Sequence, residues 1–193
     1  MFARQINLPP TSQPNKKTLF LDLDETLIKT MTYAQYNTLV EATGLSKKPD
    51  FSVCFERSNG NFEHRLVFLR RGLKAFLDEM ASLFEVVIYT AATASYAEAI
   101  LDHIDADRQI FSHVLSREHC MRDDKTTVPL KDLSKVGGRS LSNMLLLDDT
   151  NEQIELNEDN AIQISPFGDE MGEDSELEGF ALLAKEISEA SNV

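Results

Sequence analysis

The sequence predicts an α/β fold with a mostly parallel central sheet. Two observations carry that expectation. Short apolar runs alternate along the chain with amphipathic stretches of helical period, and a single stretch of strict two-residue period breaks that alternation beside a strong turn signal. Length bounds the answer. At 193 residues, 42% of them hydrophobic, the chain suits one domain with a small insertion and can bury roughly 70% of its unfolded surface.

The elements follow in order. Residues 1–16 read as an extended tail, because Pro9, Pro10 and Pro14 forbid a helix there. Residues 18–23 (TLFLDL) form a short apolar run that ends in acid, which predicts a buried strand. A short helix is expected around residues 33–42. Phe51, Val53 and Phe55 alternate with polar or small residues, Asn59-Gly60 follows, and then Phe62, His64, Leu66 and Phe68 alternate again. Residues 51–69 therefore read as a β-hairpin inserted after the first core strand. Residues 73–80 read as a helix after the Arg70-Arg71-Gly72 turn, and residues 84–89 (FEVVIY) as a second buried strand. In residues 93–104, Tyr96, Ala97, Ile100, Leu101 and Ile104 share one helix face, with Ser95 and Glu98 in capping-box spacing. Residues 111–116, 144–147 and 161–164 are further strands. A last helix runs from Ser175 to about Glu189, with Ser175 and Glu178 as a second capping-box pair.

Composition excludes several classes. Residues 140–193 hold 14 of the 32 acidic residues and only Lys185 of the 19 basic ones, so the net charge of −13 sits in the C-terminal third. A chain this acidic is a poor binder of nucleic acid, which needs a basic surface. No apolar run approaches the ~18 residues of a membrane span. The N-terminus lacks the apolar core of a signal peptide, so an intracellular setting is expected. Nucleus and cytoplasm stay open, because the Lys16-Lys17 and Lys47-Lys48 pairs are too short for a nuclear signal. Cys54 and Cys120 make neither a disulfide framework nor a cysteine zinc site.

Chemistry concentrates at strand ends. The first strand runs into Asp22-Leu23-Asp24-Glu25-Thr26, and ligands of open α/β sheets bind beyond the carboxyl ends of the strands. Two carboxylates at this spacing read either as an acidic turn or as a nucleophile with a proton-transfer partner. The second strand ends in Thr90, a hydroxyl just before a helix start, which reads either as a helix N-cap or as part of an anion site. The run at 144–147 ends in Asp148-Asp149. Adjacent carboxylates repel unless a cation sits by them, so the pair reads either as a solvated turn or as a cation site whose oxygen ligands, without His or Cys, suit Mg²⁺. Lys131 precedes that strand and, taken alone, is an ordinary surface lysine.

The order DxDxT, Thr, Lys, Asp-Asp resembles the four-part pattern of the haloacid dehalogenase superfamily of phosphoryl-transfer enzymes. DLDETLI at 22–28, RRGLKAFLDEM at 70–80, VVIYTAATASYAEAILDHID at 86–105, SREHC at 116–120, KDLSKVGGR at 131–139 and LLLDD at 145–149 are similar to the FCP/SCP-type small C-terminal-domain phosphatases. The resemblance covers about residues 17–188. It implies a HAD-like, Rossmannoid three-layer fold with a central parallel sheet and a small β-hairpin insertion after the first motif. It also implies a tail at 1–16 followed by one phosphatase domain at 17–190, with the insertion at about 30–69.

The activity implied is Mg²⁺-dependent hydrolysis of phosphoserine and phosphothreonine in phosphorylated protein segments, the RNA polymerase II C-terminal repeat being the family's best-known substrate. By position, Asp22 matches the nucleophile that becomes an aspartyl-phosphate, and Asp24 the general acid/base. Thr90 and Lys131 match the groups that bind the phosphoryl, and Arg117 an arginine near it. Mg²⁺ is implied on the Asp22 carboxylate, the Asp24 main-chain carbonyl and Asp149, with Asp148 close by. In relatives the insertion supplies an apolar pocket for a proline. Here Phe51, Phe55, Phe62 and Phe68 are the candidates for it, or else they pack the hairpin onto the core. The stretch at 122–125 departs from the family pattern. Two other functions stay in view: a catalytically silent phosphoprotein-binding scaffold on the same fold, and a small-molecule phosphatase, which the short insertion disfavours.

Overall fold

The structure, a computed structural model, describes residues 5–121, 128–168 and 174–190. In chain order the elements are β1 (Ile6–Asn7), β2 (Thr18–Leu21), β3 (Ile28–Met31), α1 (Tyr33–Thr43), β4 (Phe51–Glu56), β5 (Phe62–Leu69), α2 (Leu73–Leu83), β6 (Glu85–Tyr89), α3 (Ala94–Ile104), β7 (Phe111–Leu115), β8 (Val136–Gly137), β9 (Met144–Asp148), α4 (Asn151–Leu156), β10 (Ala161–Gln163) and α5 (Glu176–Glu189). Strands β2, β6 and β9 are buried at every position. That is why they read as unbroken apolar runs: a parallel strand is covered on both faces.

These strands build a five-stranded sheet in the order β10-β9-β2-β6-β7, and every pairing in it is parallel. The chain moves outward from β2 to β6 and β7, then crosses to β9 and β10 on the other side. The strand order thus reverses at β2, and the crevice at such a switch point is where ligands bind. On one face Leu19, Leu21, Val86, Ile88, Leu145 and Leu147 meet the apolar sides of α2, α3 and α5. On the other face Phe20, Val87, Tyr89, Met144 and Leu146 are covered by Ile6, Leu8, Leu133 and Val136, which are mostly extended chain.

The tail is extended as expected, and it is also core. Ile6 and Leu8 are buried, and β1 pairs in parallel with β8. The approach is close enough that a Cβ on Gly138, whose φ is +87°, would lie 2.6 Å from the Leu8 carbonyl oxygen. Pro9 and Pro10 hid this, because the proline argument excludes a helix without saying what an extended segment packs against.

The insertion is larger than a hairpin. β4 and β5 pair antiparallel, and β3 adds a third strand to β5. The first core strand is shorter than expected. It ends at Leu21, and the chain then reverses through Glu25, whose φ of 63° is left-handed. Neither expected capping box forms. The N-cap of α3 is Thr93, and the Ser95 hydroxyl instead donates to the Glu56 carbonyl of the insertion (2.7 Å). At α5, Asp174 accepts from the Glu176 amide (2.9 Å) and Ser175 makes no side-chain cap. A capping box does form between Thr32 and Gln35, at the start of α1. The departing stretch at 122–125 lies outside the described residues.

Arg70 fixes the reversal after β2. Its guanidinium, 1% exposed, donates to the Thr26 carbonyl (2.9 Å), the Ser165 carbonyl (2.7 Å) and the Asp174 carboxylate (2.6 Å). Arg70→Met strands the half-buried Asp174 carboxylate and two main-chain carbonyls, and should cost about 3 kcal/mol. Urea unfolding checks this, and a midpoint equal to wild type would refute it.

Candidate active site

Register brings the chemistry together. Leu21 pairs with Ile88 on one side and Leu147 on the other, so the residues just beyond β2, β6 and β9 come level. The Asp22 amide still donates to the Leu147 carbonyl (3.0 Å), and the Thr90 amide to the Leu115 carbonyl (2.8 Å). Asp22, Asp24, Thr90, Arg117, Lys131 and Asp149 line one cleft of about 360 Å³. Of the expected site residues, only Asp148 lies beneath this lining, fully buried.

Lys131 is far from an ordinary surface lysine. It is 2% exposed, and its ammonium donates to Asp22 and to Asp148 (2.6 Å to the latter). Burial works against a charged ammonium, but the two carboxylates outweigh it and hold the pKa above that of a free lysine. Its backbone is clamped from α4 and the turn after it. The Lys131 amide donates to the Gln153 side chain (2.7 Å), and the Asn157 amide nitrogen donates to the Lys131 carbonyl (2.7 Å). Both clamps are buried.

The two carboxylates of the Asp22-Leu23-Asp24 turn end up with different partners. Asp22 faces the ammonium. Burial pushes its pKa up to about 7, Lys131 pulls it back and Asp148 raises it again. Asp24 accepts instead from the Tyr96 hydroxyl, which also contacts the Thr30 hydroxyl (2.9 Å). Burial pushes Asp24 up to about 6, against the pull of the Tyr96 hydrogen bond and of Lys131.

At the next strand tip the Thr90 hydroxyl accepts from the Ala92 amide (3.0 Å), which leaves its own proton free to donate into the cleft. Arg117 is tied to the same loop through the Ala91 carbonyl (2.7 Å). Asp149 is steadied by the Thr26 hydroxyl (3.2 Å), and burial together with neighbouring Asp148 raises its pKa. Cys120 is pushed up to about 11, chiefly by burial, so it stays a thiol at neutral pH.

The donor set fits a hard divalent cation. Asp22, Asp148 and Asp149 each offer a carboxylate oxygen, and these lie within 4.8 Å of one another. Three carboxylates face one ammonium, so a net charge of about −2 is left for a cation to offset. The bonds of the turn run through Leu23, Glu25 and Ile28 and leave out the Asp24 carbonyl. Both Asp148 oxygens are engaged, by Lys131 and by the Thr150 amide (2.9 Å).

Several residues escaped the sequence reading. Tyr96 was placed on the apolar face of its helix, and its hydroxyl end reaches Asp24. Thr26 sits four residues after Asp22, inside the motif itself, which is the signal that could have found it. Gln153 and Asn157 gave no signal, because nothing local marks them as partners of Lys131. Among the insertion phenylalanines, Phe51 stacks on His103, Phe68 packs in the core beside Tyr36, and Phe62 is exposed. Only Phe55 lines a groove beside the site, edge-on to Tyr96 with ring centroids 5.0 Å apart.

The family model for NLI interacting factor-like phosphatases matches residues 17–193. The chain is similar to phosphatase PSR1 of Saccharomyces cerevisiae, 32% identical over 183 residues, which are 94% of this chain and 39% of that protein. It is also similar to the CTD small phosphatase-like protein of Homo sapiens, 32% identical over 162 residues, 84% of this chain and 52% of that one. The chain spans about half the length, or less, of these curated relatives. Among solved structures it is similar to Fcp1, an essential RNA polymerase II CTD phosphatase, with TM-score 0.62 and 26% identity over 91% of this chain and 50% of that one. A HAD-superfamily hydrolase from Ehrlichia chaffeensis shares the fold at TM-score 0.51 and 9% identity, over 89% of this chain and 98% of that one.

Lys131→Met tests the electrostatics of the site. Burial already raises Asp22 against the pull of Lys131, so without the ammonium Asp22 holds in the folded protein a proton that it releases on unfolding, and folded stability falls as pH rises. In EDTA the substitution should cost about 3 kcal/mol at pH 8 and roughly half that at pH 5. Urea melts at the two pH values measure the difference, and a cost independent of pH would refute this account.

Proposed function

The chain belongs to the NLI interacting factor-like phosphatase family, and from that premise we propose that it is a Mg²⁺-dependent phosphatase of phosphoserine and phosphothreonine in protein segments, acting through an aspartyl-phosphate on Asp22. The observation that carries this reading is the division of labour within one turn. Asp22 is paired with a buried ammonium, and Asp24, two residues on, is held by the Tyr96 hydroxyl. Two carboxylates in one turn that are held by different partners can take different roles, one as nucleophile and the other as acid/base.

In the first step an Asp22 carboxylate oxygen attacks phosphorus, and the bond from phosphorus to the seryl or threonyl oxygen breaks. Asp24, protonated, gives its proton to that leaving oxygen. In the second step Asp24, now a carboxylate, takes a proton from water as the water oxygen attacks the phosphorus of the aspartyl-phosphate. Inorganic phosphate leaves and the Asp22 carboxylate is restored. A pKa near 6 suits Asp24 to both transfers near neutral pH.

Lys131 and the Thr90 hydroxyl bind the equatorial oxygens, where charge collects as the group transfers, and Arg117 stands at the mouth of the cleft. The Asp22 and Asp149 carboxylates and the Asp24 main-chain carbonyl would hold Mg²⁺, with Asp148 acting through Lys131. When bound, the ion offsets the negative charge that an incoming phosphate dianion adds to this acidic site. The three strands of the insertion stand beside the cleft and leave it open, which suits a phosphorylated segment of chain.

Hydrolysis of p-nitrophenyl phosphate tests the reading. Turnover should need Mg²⁺, vanish in EDTA and return when Mg²⁺ is restored. Asp22→Asn should lower kcat by at least about 10³-fold, and Asp24→Asn by about 10²-fold or more. Turnover that survives EDTA, or that survives Asp22→Asn, would overturn the proposal.

A further inference from the structure

A second groove of about 300 Å³ opens directly from the catalytic cleft, and the two share Asp24, Ala92 and Arg117. Its apolar wall is the Phe55–Tyr96 ring pair. Its rim is basic, with Arg57 after β4, Arg65 on β5 and Arg117 at the junction with the cleft. The titratable groups lining it are these three arginines, Tyr96 and two carboxylates, Asp24 and Glu63. In a chain of net charge −13, three arginines against two carboxylates make the rim locally positive, and a positive rim draws anionic ligands.

The arginines are placed but not used up. Arg57 Nε meets Glu63 at 3.2 Å, and Arg65 meets the other oxygen of the same carboxylate. One glutamate thus spaces two guanidiniums, and Arg65 is further steadied by the Gln35 side chain at 3.4 Å. Each guanidinium carries five N–H donors. Arg57 gives one to Glu63, and Arg117 gives its Nε to the Ala91 carbonyl, so among the described residues the terminal nitrogens of both remain for a ligand. The platform is also rigid. β4 and β5 are paired over six positions, and the Ser95 hydroxyl pins the end of β4 to the start of α3.

We propose that Arg57, Arg65 and Arg117 form a specificity subsite that selects a phosphoserine or phosphothreonine flanked by an anionic residue, either a carboxylate or a second phosphate. The inference rests on the phosphatase reading, which sets the phosphorylated residue in the adjoining cleft. The flanking residue lays its stem on the Phe55 and Tyr96 rings and its anionic end among the guanidiniums. A guanidinium fork suits either anion, because both offer paired oxygens.

The test uses Asp22→Asn protein with Mg²⁺ and fluorescently labelled phosphoserine peptides. Their neighbouring positions carry glutamate, a second phosphoserine, alanine or proline, and binding is read by anisotropy. At least one anionic series should bind about 10-fold or more tighter than the alanine series, the scale of one or two charge-assisted hydrogen bonds. In the Asp22→Asn background, Arg57→Ala with Arg65→Ala should reduce that advantage to less than about 3-fold. Arg57→Gln alone, at a largely exposed side chain, should reduce it in part, and keeps the test open if the double variant fails to fold. Tighter binding of the proline or alanine series would overturn the proposal, as would an anionic preference that survives these substitutions. Hydrolysis of p-nitrophenyl phosphate by the wild-type protein reads the phosphatase assignment separately. Its failure sinks that assignment, whereas turnover without an anionic preference sinks only the subsite.

Discussion

The structure depends on one buried ammonium. Lys131 lies between Asp22 and Asp148 at the tips of two adjacent parallel strands. Three buried charges in one place are tolerable only because each is paired and hydrogen-bonded. The pairing dictates much of what surrounds it. β2 and β9 must be neighbours in register, the segment carrying Lys131 must be clamped at main-chain level, and Gln153 and Asn157 are buried to do that. A stable core could be built more cheaply from apolar residues. Such a core would lack what Lys131 provides, a fixed positive charge at the strand tips that is in place before any ligand arrives.

The same economy shapes the turn that follows β2. Asp22 and Asp24 are separated by Leu23, which is fully buried. The turn therefore has an apolar anchor between its two carboxylates. Arg70 holds the far side of the turn through the Thr26 carbonyl, and the Phe167 amide reaches the Glu25 carbonyl at 2.6 Å. Segments distant in sequence thus converge on a turn whose main chain includes a left-handed residue, Glu25. Held this way, the two carboxylates have little freedom to exchange partners.

Much of this was legible in the sequence, and the boundary of legibility has a physical cause. The buried strands announced themselves because parallel strands must be apolar on both faces, and their tips announced the chemistry because charge has no other reason to end such a run. Asp22, Asp24, Thr90, Lys131, Arg117 and Asp149 stand in one cleft, as the motif order implied. What was missed depends on contacts across long sequence separations. Ile6 and Leu8 were invisible as core because their covering role comes from Phe20 and Val136. β3 was missed because four residues with two buried ends carry no clear alternation. The capping boxes at Ser95 and Ser175 had the right spacing, yet tertiary partners took the Ser95 hydroxyl and a neighbouring carboxylate took the α5 amide. Tyr96 shows the limit best, since a helical period reports which way a side chain faces and not what its far end touches.

The strand order has one more consequence. The outer strands of the main sheet are β10 and β7, of 3 and 5 residues. An edge strand is a template on which a second chain can continue the hydrogen-bond ladder, and long flat edges are where folded proteins begin to aggregate. Here β10 offers room for only a few such bonds. On β7 the Ser112 hydroxyl turns back to the Val86 carbonyl at 3.0 Å, beside an irregularity in the pairing of β6 with β7. Two molecules meeting edge to edge at β10 would gain little main-chain bonding, and each would bring a net charge of −13 to the encounter. The fold therefore keeps its most buried, most apolar strands at the centre of the sheet, out of reach of polymerisation.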